Sequence, residues 1–214
     1  MAISTYVDRY KYWRYSAFRW QHELSIAQKI ALAFGMACFT GLFAQVRIPL
    51  WFTPVPITGL VFAVLLSGVL LGAGYGALSQ AFYLGIGACG VPWFQGWAGG
   101  IGYLSHTATL GYLIGFILAA WLIGRFTERY IVARKFFPQL GLMLAGVVII
   151  YLLGAIYIAA TMHTGFVRTM ELAVFPFIPL DIAKAAAVAS LSTTILPKAS
   201  YNGEVDRAKY PASY

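Results

Sequence analysis

The sequence predicts an all-α integral membrane protein with six transmembrane helices, and three observations carry that expectation. Only 10% of the 214 residues are charged, where soluble domains average about 25%. Hydrophobic residues make up 60% and the mean hydropathy is +0.75. The cations behind the net charge of +8 gather in loops and termini rather than in the long apolar runs. That placement suits anionic lipid and speaks against a nucleic-acid partner. The expected location is the cell membrane, with the bilayer itself as the first partner.

Residues 1–25 form an N-terminal arm in which Tyr, Trp and Phe alternate with Arg9, Lys11, Arg14 and Arg19. Such a mixture fits the headgroup layer, where rings and cations both find partners; docking to another membrane subunit is the other reading. No small-residue cleavage site precedes the first apolar run, so no cleaved signal peptide is expected. Residues 26–198 form the membrane domain, and residues 199–214 a cytoplasmic tail.

The first span runs from about Ile26 to Val46, with Ala33, Ala37 and Gly41 in one row. Small residues four apart let another helix approach closely in lipid, so this row is a candidate partner-docking face. In RIPLWFTPVPITG the residues Pro49, Pro54 and Pro56 forbid a continuous helix. This segment reads as a structured loop over a site or as an ordinary connection. A second span, about Ile57 to Leu71, is barely long enough to cross ~30 Å of hydrocarbon. Gly72, Gly74 and Gly76 then turn the chain into a short third span, about Ala77 to Cys89.

An uncharged loop follows, GVPWFQGWAGGIGYLSHTATLGY, rich in Trp, Gly and polar side chains. It lines a pocket or lies at the interface. The fourth span covers about Thr109 to Phe126 and the fifth about Gln139 to Ala160, with Gly141, Gly146 and Gly154 as close-packing positions. A short loop bearing His163, Arg168 and Glu171 leads to the sixth helix, which runs to about Ile195.

Cation counting sets the topology. The arm with Lys29, the loop after the fourth span and the tail hold twelve, whereas the opposite loops hold only Arg47 and Arg168. Both termini are therefore expected to be cytoplasmic. The proline loop, the Trp and glycine loop and the start of the sixth helix then converge on the outer side.

At that start, PFIPLDIAK sets Asp181 and Lys184 one helical turn apart. Ionisable groups at the edge of an apolar helix persist when they pair with each other or with a ligand. A carboxylate there can accept two parallel N–H donors from a planar urea or amide, and Lys184 can donate to its carbonyl. Tyr83, Trp93 and Trp97 offer stacking surface. A structural ion pair and an interfacial aromatic belt are the plain alternatives.

Enzymatic signatures are missing. The chain has no GxxxxGK[ST] phosphate loop and no GxSxG elbow. His22, His106 and His163 lie in three separate loops without metal-ligand spacing. Cys38 and Cys89 read as small hydrophobes. A non-enzymatic binding protein without cofactor or metal is expected.

RIPLWFTPVPITG, VLLSGVLLGAGYGALSQAFYLGIGACGVPWFQG, GYLIGFILAAWLIG and PFIPLDIAK occur in the order found in the BioY family, the biotin-binding S components of energy-coupling-factor (ECF) transporters, which this chain resembles over residues 26–198. The resemblance implies six helices, internal termini and capture of biotin from outside. It also implies docking to an ECF membrane component and two ATPases through small residues of the first helix, here Ala33, Ala37 and Gly41. Asp181 and Lys184 fall on the family pair that binds the ureido ring, and Tyr83, Trp93, Trp97, His106 and Tyr112 complete the expected ligand set. Three departures sit near the ligand. Gly59, Leu60 and Val61 replace the usual segment with Gln, SHTATLGY stands for GPTGGY, and Leu180 replaces a glycine. They motivate a second reading, a BioY-derived structural subunit of a larger membrane complex.

Overall fold

A computed structural model describes residues 23–197 together with Tyr10, Trp13, Arg14, Ser16 and Trp20. The expected cytoplasmic tail and most of the N-terminal arm lie outside the described residues. From Ile26 to Ile195 the described residues form seven α-helices, one 3-10 turn and a two-stranded hairpin. Five of the helices are long and apolar enough to cross a membrane.

Helix α1 spans Ile26–Gln45 and is opened by a capping box, in which Ser25 and Gln28 satisfy each other's backbone amides. The proline loop that follows is closed at its base by β1 (Arg47–Ile48) and β2 (Ile57–Thr58), paired antiparallel. Prolines 49, 54 and 56 fall in its arch, where no helix is required of them. Thr53 Oγ1 donates to Leu172 O at 2.6 Å, which pins the arch to a segment 119 residues on in the chain.

Helix α2, Leu60–Ala88, is a helical hairpin. At Gly72 the backbone leaves helical geometry (φ 74°, ψ −171°), a region that L side chains avoid. Gln80 Nε2 donates to Ser67 Oγ at 3.1 Å, although a straight helix would separate those residues by about 20 Å. The chain therefore folds back on itself at Gly72. The expected second and third spans are its two legs, and of the three glycines between them only Gly72 carries a positive φ. Glu128 of the next long helix accepts from Ala73 N at 3.2 Å, capping the second leg at its first turn.

The Trp and glycine loop contains the short helix α3 (Ile101–His106). Helix α4 covers Leu110–Arg129, three residues beyond the expected end, because Arg125, Glu128 and Arg129 continue the helix into the interface. A 3-10 turn, Ile131–Arg134, leads to α5 (Phe136–Met162), which ends at His163 in the left-handed region. The segment expected as a loop holds the amphipathic helix α6 (Phe166–Ala173), with Arg168 and Glu171 paired across one turn at 3.0 Å. Helix α7 covers Ile178–Ile195.

The α2 hairpin packs most extensively on α4, and α4 on α5. Glycine makes these approaches possible. A Cβ on Gly124 would overlap the backbone of Gly72 and Ala73, and one on Gly154 would overlap the Tyr112 ring. Gly146 likewise sits against Ile123, whereas Gly141 faces open space and packs nothing.

The α1 row is a correction. Ala33 and Ala37 are fully buried, and Gly41 is pressed against Trp93. This row joins α1 to its own chain and leaves no surface for a partner. One third of a turn away, Ala27, Ala31 and Gly35 have the same spacing and are exposed, with open space beside Gly35.

Candidate ligand site

Between the proline arch, the first leg of α2, α4, α5 and α7 lies a cavity of about 590 Å³ including its open mouth. Asp181 enters it from the first turns of α7 and is only 3% exposed. Its carboxylate has two donors. Lys184 Nζ lies 2.7 Å from Oδ1, and the Tyr151 hydroxyl donates to Oδ2 at 2.7 Å. A buried carboxylate needs such partners, since desolvation without them costs several kcal/mol.

Lys184 has a second role. Its Nζ also donates to Thr58 O at 2.6 Å, so the cation that balances Asp181 fastens strand β2, and hence one end of the arch, to α7. Every ammonium proton used this way is unavailable to a ligand until a bond is exchanged. Each Asp181 oxygen keeps a further acceptor position. The site can therefore accept N–H donors at Asp181 and donate from Lys184, with no net charge of its own.

The remaining wall is apolar and aromatic. Leu60 and Val61 from α2, Leu113 and Phe116 from α4, Ile150 from α5 and Phe177 at the head of α7 supply the hydrocarbon surface. Tyr83, Tyr103 and Tyr112 add rings, and Gln95 is the side-chain amide among the lining residues. Tyr112 is held by its hydroxyl, which donates to Ala173 O at 2.7 Å.

Four of the expected residues, Asp181, Lys184, Tyr83 and Tyr112, come together around this cavity. Trp93, Trp97 and His106 do not line it. Trp93 lies behind the wall with its indole N–H donating to Tyr83 O at 2.8 Å, so it packs the loop. Trp97 is 66% exposed in a positive-φ turn. His106 is exposed at the end of α3, its Nδ1 2.9 Å from Gly102 O. The loop is nevertheless tied to the rest of the chain, because Gln45 Nε2 donates to Trp93 O and Phe94 O while its Oε1 accepts from Trp97 N.

Tyr151, Gln95 and Tyr103 were not expected. The sequence offers only a weak clue for Tyr151, which is one of two tyrosines, with Tyr157, in an apolar span. Of the departures, Leu60, Val61 and Thr109 face the cavity, whereas Leu180 is not among the lining residues and is 42% exposed.

A multi-pass helical protein with a mostly apolar pocket, one buried ion pair and an arch across its mouth belongs to the class of membrane proteins that bind a small molecule. Comparison with known proteins narrows the class. The chain belongs to the BioY family, whose model matches residues 15–200. It is 46% identical over 151 residues to the probable biotin transporter BioY of Methanothermobacter thermautotrophicus, covering 67% of this chain and 96% of that one. It is 36% identical over 162 residues to the probable biotin transporter BioY of Pyrococcus horikoshii (75% and 91% covered). The biotin transporter BioY of Rhizobium etli is 33% identical over 171 residues (73% and 90% covered). Among solved structures, the crystal structure of the S-component for biotin from an ECF-type ABC transporter superposes with a TM-score of 0.71 at 25% identity, covering 79% of this chain and 93% of that one.

Proposed function

We propose that this chain is the substrate-binding S component of a biotin uptake system, holding the ureido ring of biotin between Asp181 and Lys184. One observation carries the reading: a buried carboxylate with a free acceptor position on each oxygen faces an ammonium group that also latches the arch. The ring's two N–H groups suit the carboxylate, and its carbonyl suits Lys184. Leu113, Phe116 and Ile150 suit the hydrocarbon part of the ligand.

The same reading gives six membrane crossings, with the two legs of α2 counted separately, and both termini in the cytoplasm. The excess of Arg and Lys at one end supports that orientation. The arch and Asp181 then open outward. An ECF membrane component and its ATPases would supply the energy, and the exposed Ala27, Ala31 and Gly35 face of α1 is the surface that fits close helix packing with such a partner.

Calorimetry of biotin against the purified protein, with co-purifying subunits identified after gentle extraction, tests both parts. Saturable biotin binding supports capture. No binding, with a stoichiometric complex of unrelated membrane subunits, would favour a structural subunit that keeps the fold alone.

A further inference from the structure

At the end of α4 opposite the ligand cavity lies a second concavity. Phe126 of α4, Tyr130 just past its end, Val132 and Ala133 of the 3-10 turn, and Pro138 and Leu142 of α5 line an open groove of about 780 Å³ including the solvent in its mouth. Its wall is apolar, and Val132 stands 62% exposed at its rim. Phe116, the deepest α4 residue of the ligand cavity, is ten residues from Phe126, about 15 Å along the helix. The two concavities are therefore separate.

Cations neighbour the groove's lining residues in the chain. Arg125 and Arg129 lie one turn apart on α4 and are exposed, the Arg129 guanidinium 5.9 Å from the centre of the Tyr130 ring. Lys135, also exposed, begins α5. Among the described residues, none of these three carries an ion pair. The nearby carboxylate of Glu128 is turned to Ala73 N, where it caps the α2 leg. Arg134 is buried and donates to Thr127 O, Glu128 O and Pro197 O, which fixes the turn that carries the rim.

We infer that this groove is a binding site for one anionic phospholipid, with an acyl chain along Phe126, Tyr130 and Leu142 and the phosphate between Arg129 and Lys135. The charge complementarity commits it to that occupant. An apolar trough at the end of two long apolar helices accepts a lipid chain, and three exposed cations next to its lining in the chain, none ion-paired among the described residues, attract an anionic headgroup. A zwitterionic lipid would fill the trough but leave the cations without net compensation. A water-soluble phosphate would meet the cations but leave the trough empty.

The test is thermal melting of the detergent-purified full chain titrated with dioleoylphosphatidylglycerol, dioleoylphosphatidylcholine or glycerol phosphate, alongside native mass spectrometry. Phosphatidylglycerol is expected to raise Tm saturably with one lipid retained, and the other two to do so only weakly. Replacing Arg129→Gln and Lys135→Gln together should weaken the apparent phosphatidylglycerol affinity about 25-fold, five-fold per charge, while biotin binding stays as it was. Arg168→Gln, remote in the chain, should change neither. If the double variant melts low without lipid, Lys135→Gln alone carries the test through its five-fold loss. Equal stabilisation by phosphatidylcholine, or an undiminished phosphatidylglycerol effect in both variants, overturns the site.

Discussion

Tyr151→Phe removes one oxygen and nothing else, and the geometry fixes what that oxygen does. Its hydroxyl lies 2.7 Å from Asp181 Oδ2 and reaches from α5 to α7 to do so. A hydrogen bond to a charged group contributes about 1.5–3 kcal/mol. With Asp181 only 3% exposed, water does not readily replace it. If the carboxylate is what biotin reads, that loss converts to a Kd about 10- to 150-fold weaker. Calorimetry on wild type, Tyr151→Phe, Asp181→Asn and the double variant separates the contributions. Asp181→Asn should cost about 2–5 kcal/mol, because Lys184 loses its partner as well. The double variant should then be little worse than Asp181→Asn, since Tyr151 acts through the carboxylate. Unchanged affinity in Tyr151→Phe, or full additivity in the double variant, refutes the idea that Tyr151 positions Asp181.

Lys184→Met should weaken biotin by about 2–5 kcal/mol and speed hydrogen exchange in residues 46–59, because the bond to Thr58 O goes with it; exchange mass spectrometry reads the second effect without ligand. Gly72→Ala should lower Tm by an amount equivalent to at least about 1–2 kcal/mol, since the new Cβ meets a positive φ and overlaps the Glu128 carboxylate. Gln80→Met should be neutral or slightly stabilising, within about 1 kcal/mol, because Gln80 Oε1 is buried without a donor; a drop in Tm equivalent to more than 2 kcal/mol would mean that its amide bonds to Thr40, Ser67 and Ser79 hold three helical segments together.

The residues that the sequence made legible share one property: their chemistry is improbable where they stand. Asp181 and Lys184 are ionisable groups in an apolar helix, so desolvation alone marks them before any contact is known. The glycine cluster at Gly72 marks a turn for a similar reason, because glycines bunched between two apolar runs offer the backbone freedom that a reversal needs. What stayed hidden depends on which side of a helix faces inward. Rows Ala33, Ala37, Gly41 and Ala27, Ala31, Gly35 have the same residue types and the same spacing, and only packing against α2 and Trp93 buries the first and leaves the second exposed.

Aromatic residues raise the same difficulty in another form. Trp93 and Trp97 stand four apart in one loop and look equivalent, yet Gly87 makes room for one to pack inward while the positive φ at position 97 turns the other out. Tyr151 resembles any packing tyrosine of an apolar span until α7 brings Asp181, thirty residues on in the chain, to its hydroxyl. A carboxylate declares by its cost that it has partners, but it does not declare which ones. That difference explains why the ion pair was legible and the tyrosine that completes it was not. The cavity also bears on the altered loops. Leu60, Val61 and Thr109 lie in the wall and Leu180 does not, so the departures that bear on the pocket are those at the start of α2 and just before α4. With Leu60 apolar, the polar side chains of the wall include the Gln95 amide from the loop and the Asp181 and Lys184 pair of α7.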